Sequence, residues 1–412
     1  MAIFPGTKGE DVSAWRGAVE LVAGIRDELV GRLTYLLPGA DVALIGALRG
    51  RVESELAKDE RFREEFEEVL SALATTAGED QLASAYRRGR RAVADHFRHR
   101  GSVLVLHRCC TAMQDVLVGR VLRFTEEWMA RSGYGDPPAP YCWFASGNAG
   151  RSEASTSGEH DGLIVYGETD AAGSGYFTTF SLRVAALLEH VGIRSARGIT
   201  PVFPAWRGSI NEWRGRLAEE VAGERRGEEL PELARFADLR QVSGTKELGD
   251  EMTNLARSLL SFQKGGFRLL ARGAADMTTG LDFFGRLRVA KHGAHRGEFN
   301  HEQFAFAPLV ANVRVLAMDA GVAATATVDR IKGLLEGGRL DVDLAQRLLR
   351  SYHDFMARRL TIEIARGAGA GYSEYYLKPE ELSSAEEEEL KSGLEAVMSL
   401  QRIVYQSLAV HG

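Results

Sequence analysis

The segment from residue 141 to residue 166 constrains the fold more than any other part of the chain. It contains two short apolar runs, at 141–145 and 162–166, and each is typical of a buried strand. A glycine-rich turn and a stretch of small residues separate the two runs. Residues two apart on a strand share a face and lie about 7 Å apart. Glu159 and Asp161 are therefore predicted to point the same way, where the glycine-rich turn ends.

Two carboxylates beside a glycine-rich turn suit metal-assisted phosphoryl chemistry. Mg²⁺ prefers carboxylate oxygens and the oxygens of a substrate triphosphate as ligands. Glycines allow backbone N–H groups to approach phosphate closely. A β-hairpin with a solvated acidic edge is the alternative interpretation of the same residues. The combination favours a nucleotide site in which Gly147 and Asn148 cradle phosphate and the acids hold Mg²⁺, with Mn²⁺ as a substitute.

The segment resembles the nucleotidyltransferase signature of the polymerase-β superfamily, which is Gly-Ser followed after a spacer by Asp-x-Asp. It is most similar to the uridylyltransferase-like branch, of the type that bacteria fuse to CBS and cyclic-nucleotide-binding modules. The shared positions are Pro137, Pro138, Trp143, Ala145, Gly147, Gly150, Arg151, Glu153 and Asp161. Three positions depart from the pattern: Asn148 replaces the serine, Glu159 the first aspartate, and Gly162 an asparagine.

A second segment, at 206–213, resembles the Trp-Arg-x-Ser element that shapes the nucleotide pocket in this branch. Trp206, Arg207, Ser209 and Trp213 match it. The resemblance implies nucleotide contacts from Arg151, Trp206, Arg207 and Ser209 in addition to the glycine turn. The residues alone favour a simpler alternative, in which a helix begins beside two core tryptophans and the arginine is exposed.

The segment at 236–244 resembles the strand that carries the third carboxylate of the superfamily. The resemblance implies that Asp238 joins Glu159 and Asp161 as a catalytic and metal-binding group. A third acid can accept the proton of an attacking hydroxyl or hold the metal that lowers its pKa. The alternative is an ion pair between Asp238 and Arg240 along the strand.

The C-terminal half resembles the helical substrate-binding domain of the same nucleotidyltransferases. Pro308, Leu309, Val310 and Arg314 match one of its motifs, and Thr327 and Arg330 match another. Upstream of them, a basic cluster of Lys291, His295 and Arg296 is predicted to contact the triphosphate. The alternative for this cluster is a helix junction with local charge pairs. His292 and His295 lack a third ligand at a spacing convincing for zinc.

Composition excludes several classes of protein. At 412 residues the chain predicts two or three domains, and its net charge of −6 argues against a dedicated nucleic-acid binder. No apolar run approaches the ~20 residues of a membrane span, and three cysteines form no disulfide framework, so a cytoplasmic protein is expected. A basic cluster at 86–91 favours a solvated helix face over binding to phosphate, nucleic acid or an acidic partner.

Helical periodicity predicts N-terminal helices at 14–37, 41–58, 59–77, 82–98 and 104–129. The expected fold is therefore α+β and mostly helical, with a small mixed-sheet nucleotidyltransferase core between two helical domains. The predicted domains are a helical region at 1–133, the core at 134–250 and the substrate-binding domain at 251–412.

The predicted function is a regulatory nucleotidyltransferase acting in signal transduction. It moves a nucleoside monophosphate from NTP–Mg²⁺ to an acceptor hydroxyl on a protein or small molecule. The departures at Asn148 and Glu159 leave open a catalytically degenerate nucleotide sensor, and the basic cluster at 86–91 leaves open an RNA-directed nucleotidyltransferase. The sequence does not specify the base, the acceptor or the oligomeric state.

Overall fold

In the part of the chain that the structure describes, three long helices precede the sheet. They are α1 (Asp41–Thr75), α2 (Glu79–Arg100) and α3 (Val103–Arg131). Two predicted helices at 41–58 and 59–77 are one continuous helix, because no glycine or proline interrupts the stretch around Lys58. Gly101 ends α2 with a left-handed φ of 65°, a conformation that glycine adopts at low cost. The chain thus reaches the sheet through three helices that all pack against one another.

The structure is a computed structural model that describes residues 41–195, 198–224, 233–260, 266–366 and 375–410. The helix predicted at 14–37 lies outside these residues. No helix in the described ranges is both long and apolar enough to cross a membrane.

A four-stranded mixed sheet follows the three helices. Its strands are β1 (Tyr141–Ser146), β2 (Asp161–Tyr166), β3 (Arg207–Ser209) and β4 (Arg240–Gly244), in the order β3-β2-β1-β4. The central strand β1 is antiparallel to both β2 and β4, whereas β2 and β3 are parallel. Ser146 pairs with Asp161, so the end of β1 lies opposite the start of β2.

Helices cover both faces of the sheet. They are α4 (Gly147–Gly150), α5 (Ala171–Val191), α6 (Ile210–Glu224), α7 (Leu233–Phe236) and α8 (Lys246–Leu259). On one face Trp143 and Ile164 pack in the same apolar cluster as α3 and α5. On the other, Phe144 and Val165 pack with Trp213 from α6. Burial on both faces explains why the two strands read as continuous apolar runs rather than as alternating patterns.

The C-terminal region consists mainly of five helices. They are α9 (Gly266–Ala275), α10 (Ala307–Asp319), α11 (Thr327–Glu336), α12 (Val342–Arg366) and α13 (Ser384–Val410). A two-stranded pair, β5 (Phe299–Asn300) and β6 (Tyr376–Leu377), and a π-helical turn at Glu302–Phe306 lie between them. The predicted fold class, mostly helical α+β with a small mixed sheet, is confirmed.

One hydrophobic cluster runs through the N-terminal helices, one face of the sheet and the C-terminal helices. It includes Phe66 from α1, Leu117 from α3, Trp143 from β1 and Leu400 from α13. The helical regions are therefore packed against the core continuously, and the predicted domain limits at residues 133 and 250 stay predictions.

Candidate active site at the glycine turn

The glycine turn between β1 and β2 brings the backbone beside an acidic side chain. Gly147 has a left-handed φ of 59°, which glycine adopts readily. A Cβ at Gly147 would lie 3.6 Å from Asp161 Oδ2, so this turn and the carboxylate are in direct proximity. Gly150 has a different reason to be glycine, since a Cβ there would lie 1.8 Å from the Asp238 carbonyl oxygen. The turn is thus compact because two backbone segments approach it closely.

The backbone around the predicted acid pair is fixed by a neighbouring segment. Strand β2 begins at Asp161, and Glu159 lies just before it in an isolated bridge with Arg194. The His160 N–H donates to the Arg194 carbonyl at 2.9 Å, and the Arg194 N–H donates to the Gly158 carbonyl at 3.0 Å. Glu159 is therefore in extended pairing, although it is not part of the regular strand that the sequence predicted.

His160, between the two acids, points into the core. The Trp143 indole N–H donates to His160 Nε2 at 3.0 Å, and His160 Nδ1 lies 3.2 Å from Gln114 Oε1. Because indole is only a donor, Nε2 is the acceptor and the proton is on Nδ1. Burial lowers the pKa of His160 to about 3, so the imidazole is neutral. Alternation along extended backbone then places Glu159 and Asp161 together on the other side.

The acid pair is poorly solvated. The Glu159 side chain is 12% exposed, and burial raises its pKa above the ordinary value. Arg359 and Arg194 oppose this shift, whereas the negative charges of Glu363 and Asp161 add to it. Asp161 accepts a hydrogen bond from the Ser195 hydroxyl at 2.7 Å. The two carboxylates therefore interact electrostatically.

Asp238, the predicted third acid, is buried and bound by arginines. Its carboxylate is 1% exposed and is surrounded by three guanidinium groups. Arg151 donates to Oδ2 at 2.8 Å, Arg314 to Oδ2 at 2.6 Å, and Arg330 to Oδ1 at 2.8 Å. Burial alone would raise its pKa, but Arg314, Arg330 and Arg151 outweigh burial and hold the pKa of Asp238 well below its usual range.

The contacts of Asp238 thus differ from those expected in the predicted three-acid cluster. In the described ranges no group of three or more His, Cys, Asp and Glu side chains has an arrangement that holds a metal ion. The physical reason is that the loop before β4 turns Asp238 inward, where helices α10 and α11 supply Arg314 and Arg330. The alternative pairing with Arg240 does not form either. Arg240 instead makes two hydrogen bonds of 2.8 Å to Asp115 in α3.

Arg151, predicted to contact the nucleotide, is buried and bound to protein groups. Besides Asp238 it donates to Asn148 Oδ1 and to Glu153 Oε2. Burial opposes its charge, but Glu153 and Asp238 outweigh burial and raise the pKa of Arg151. Glu153 also accepts the backbone N–H of Thr327 at 2.8 Å, at the start of α11. The motif Gly-x-x-Gly-Arg-x-Glu thus ties the glycine turn to the C-terminal helices.

The Trp-Arg-x-Ser element forms the start of a helix. Arg207 donates to the carbonyl oxygens of residues 201 and 202, and Trp206 packs near Trp213. Ser209 and Glu212 cap α6 reciprocally: the Glu212 N–H donates to Ser209 Oγ at 3.2 Å, and the Ser209 N–H donates to Glu212 Oε2 at 2.7 Å. This arrangement contains the helix start of the alternative interpretation, but Trp206 and Arg207 are both half-buried rather than core and exposed respectively.

The basic cluster at 291–296 lies in the connection between α9 and β5. Lys291 and Arg296 are exposed, and His295 stacks on Tyr376 with ring centroids 3.8 Å apart. His295 Nδ1 lies 2.7 Å from Glu298 Oε2, which is the local charge pair of the alternative interpretation. Within the described ranges, none of the contacts of this cluster is with Glu159 or Asp161.

Two residues of the site carry no recognisable sequence motif. Glu363 in α12 is 2% exposed and accepts hydrogen bonds of 2.8 Å from the hydroxyls of Ser155 and Thr156, in the spacer before Glu159. Arg359, one turn earlier, is buried between the rings of Phe306 and Tyr375. The only signal in the sequence is their i, i+4 spacing, which places both on one helix face.

The sheet, the glycine turn and the paired acids at the start of β2 define a nucleotidyltransferase core with an added helical domain. Comparison with known families agrees. Residues 87–226 match the family described as "Putative nucleotidyltransferase DUF294", and residues 265–408 match the "Putative nucleotidyltransferase substrate binding domain". Together the matches cover most of the sequence, and the chain belongs to this nucleotidyltransferase family. No curated protein matches the sequence.

Proposed function

We propose that the protein transfers a nucleoside monophosphate from NTP–Mg²⁺ to an acceptor hydroxyl, on a protein or a small molecule, in a regulatory role. The reaction takes place at the face formed by Glu159 and Asp161. The observation that carries the proposal is the proximity of Asp161 to the Gly147 backbone, within the segment matched by the nucleotidyltransferase family.

The carboxylate oxygens of Glu159 and Asp161 are suitable ligands for a divalent ion. Burial and neighbouring acids raise the pKa of Glu159, so a cation beside it relieves an unfavourable negative charge. Mg²⁺ is commonly held by one or two carboxylates together with substrate phosphates, so a third protein carboxylate is not required. Glu159 and Asp161 would hold the ion, with Mn²⁺ as a substitute. When bound, the ion supplies charge neutralisation for the transferring phosphoryl group.

The residues of the glycine turn position the nucleotide. Gly147 leaves its backbone open beside Asp161, and Asn148 is tied to the buried Arg151. Arg151 is in turn fixed by Asp238, so Asp238 acts as a positioning residue for the turn rather than as a metal ligand. Ser195 orients Asp161 through its hydroxyl. Rigid positioning is what phosphoryl transfer mostly requires from a protein.

Helix α12 of the C-terminal domain completes the site. Glu363 fixes Ser155 and Thr156 and so sets the path of the spacer that ends at Glu159. Arg359 lowers the pKa of Glu159 while Glu363 raises it. The two residues therefore act as positioning residues that balance the charge of the acid pair, and they couple the substrate-binding domain to the reaction.

Label transfer tests the proposal. The purified protein is incubated with each NTP, labelled at the α-phosphate, together with cell lysate and Mg²⁺. We expect one nucleotide to label a protein band or a small product, and chelation of the metal to abolish the labelling. The Asp161→Asn variant should lose labelling, whereas Asp250→Asn, at an exposed position in α8, should keep it.

The outcomes separate the alternatives. If nucleotide binds but neither the wild type nor Asp161→Asn transfers label under any condition, the protein is a nucleotide sensor. If the labelled product is sensitive to ribonuclease, the acceptor is RNA.

A further inference from the structure

A strongly charged cavity lies between α1 and α2, and no residue of the glycine turn lines it. This α1–α2 cleft has a volume of about 720 Å³, within the usual range for small-molecule sites. Its lining contains more basic than acidic side chains, in a chain whose net charge is −6. The acids are Asp59, Glu65 and Asp95, and the bases are Lys58, Arg61, Arg87, Arg88, Arg91 and Arg100.

Part of this positive charge is already neutralised. Arg100 donates to Asp59 at 2.7 Å and to Glu55 at 2.6 Å, and Lys58 pairs with Glu55. Arg88 lies 3.5 Å from Glu68. Arg88 and Arg100 thus form ion pairs between the two helices and Lys58 forms one within α1, so these three charges already have partners.

Three other arginines are available. Arg61, Arg87 and Arg91 are exposed, and none of them makes an ion pair or hydrogen bond with any residue in the described ranges. Arg87 and Arg91 are four residues apart on α2, so their side chains project from adjacent turns of one face, about 6 Å apart at Cβ. Arg61 lines the same cleft from α1. Guanidinium groups at this spacing suit the successive phosphates of a di- or triphosphate, because each guanidinium binds phosphate through a planar pair of N–H groups.

The cleft also has a flat aromatic wall. The rings of Phe62 and His96 are stacked with centroids 3.9 Å apart and planes 10° apart, and both residues line the cavity. His96 is half-buried, and Phe62 fixes the plane of its ring. A planar side chain beside a cationic group is the pair of features that recognises a nucleotide base and its phosphates.

We propose that the α1–α2 cleft binds a nucleoside di- or triphosphate at a site that shares no residue with the carboxylate pair. Arg61, Arg87 and Arg91 contact the phosphates, and His96 stacks on the base. The family matches begin only at residue 87, so α1 contributes a wall that they do not describe. The limited volume and the interspersed acids favour a small ligand over a long nucleic acid.

Binding without metal isolates this site from the carboxylate pair. The full-length Asp161→Asn variant is titrated with ATP, and separately with inorganic tripolyphosphate, in EDTA by isothermal calorimetry. We expect both to bind and ATP to bind more tightly, since only ATP has a base. Adding Arg87→Ala and Arg91→Ala should weaken binding at least about tenfold, as should Arg61→Ala on the opposite helix. The matched control is Arg108→Ala with Arg402→Ala, which removes the same charge at two exposed positions elsewhere.

Several results would overturn the proposal. They are no binding in EDTA, equal affinity in the Arg87→Ala/Arg91→Ala variant, or an equal loss in the control variant. Tripolyphosphate binding as tightly as ATP would refute base recognition. Tighter binding of a single-stranded RNA oligonucleotide, lost in the same variant, would assign the cleft to nucleic acid instead.

Discussion

Arg151 donates a hydrogen bond of 2.8 Å to Asp238 in the interior of the protein, and this contact links the glycine turn to the C-terminal helices. Arg314 and Arg330 reach the same carboxylate from α10 and α11. Arg151 and Asp238, which both match the family resemblance, therefore belong to one buried cluster of ion pairs. Arg151 of this cluster also donates a hydrogen bond to Asn148 in the turn beside Asp161.

Replacing Asp238 should destabilise the fold strongly. Asp238→Asn keeps the shape of the side chain but leaves three buried guanidinium groups without a counter-charge, which costs about 3–5 kcal/mol. Asp115→Asn is the matched control, because its partner Arg240 is more exposed, and the expected cost is about 1 kcal/mol or less. Urea unfolding measures both free energies. Equal losses in the two variants would show that the cluster does not stabilise the protein.

The same cluster predicts how stability depends on pH. The pKa of Asp238 is lower in the folded state than its ordinary value of 3.8. The unfolded chain therefore binds the proton more readily, and the stabilisation is complete above pH 3.8 and is lost as the pH falls below it. The difference in unfolding free energy between wild type and Asp238→Asn should shrink in this acid range. A difference that stays constant to the lowest accessible pH would contradict the assignment.

Restoring the family's asparagine at Gly162 should be harmful. A Cβ at this position would lie 2.3 Å from the ring of Trp143, whose indole N–H is held by His160. Gly162→Asn is therefore expected to cost about 1–3 kcal/mol through overpacking. Gly175→Ala, at an exposed helical position with open space around it, should be neutral or stabilising by up to about 1 kcal/mol. Thermal unfolding of the two variants tests this, and a stable Gly162→Asn protein would refute the packing argument.

The metal affinity should depend on pH through Glu159. Because the pKa of Glu159 is raised above 4.5, protons compete with Mn²⁺ over a range that extends above this pH. Glu363→Gln removes one negative neighbour, so the midpoint of the pH dependence should move to lower pH. Glu395→Gln, on an exposed part of α13, should leave it unchanged. Calorimetric titration of Mn²⁺ at several pH values gives the midpoints, and an upward shift in Glu363→Gln would contradict the charge balance.

Ser209 should affect stability more than nucleotide binding. Ser209→Ala removes one half of the reciprocal cap of α6, at an expected cost of about 1 kcal/mol. Its affinity for NTP with Mg²⁺ should equal that of the wild type. A selective loss of nucleotide affinity with unchanged stability would instead favour the pocket role that the family resemblance implies.

Local patterns made the core of the fold predictable. The runs at 141–145 and 162–166 form the two central strands because apolar residues bounded by prolines and glycines have few alternatives to a buried strand. Extended pairing then places Glu159 and Asp161 on one side, as the spacing of two predicts. The cap formed by Ser209 and Glu212 is also a local pattern, with a serine followed three residues later by a glutamate.

The partners of Asp238 were not predictable in the same way. Arg314 and Arg330 lie 76 and 92 residues further along the chain, and no periodicity connects them to β4. Glu363 is likewise 207 residues from Thr156. Such contacts depend on how the C-terminal helices pack on the sheet. The motif identified candidate residues, and their partners depend on tertiary packing.

The most direct test of the central claim is the affinity of the carboxylate pair for metal in the presence of nucleotide. Mn²⁺ binding is measured by electron paramagnetic resonance with an NTP analogue that resists cleavage at the α-phosphate, using wild type, Asp161→Asn and the exposed control Asp250→Asn. We predict that Asp161→Asn weakens Mn²⁺ binding by more than about tenfold while the control equals the wild type. Equal Mn²⁺ affinity in all three proteins would contradict the assignment of Glu159 and Asp161 as the metal site.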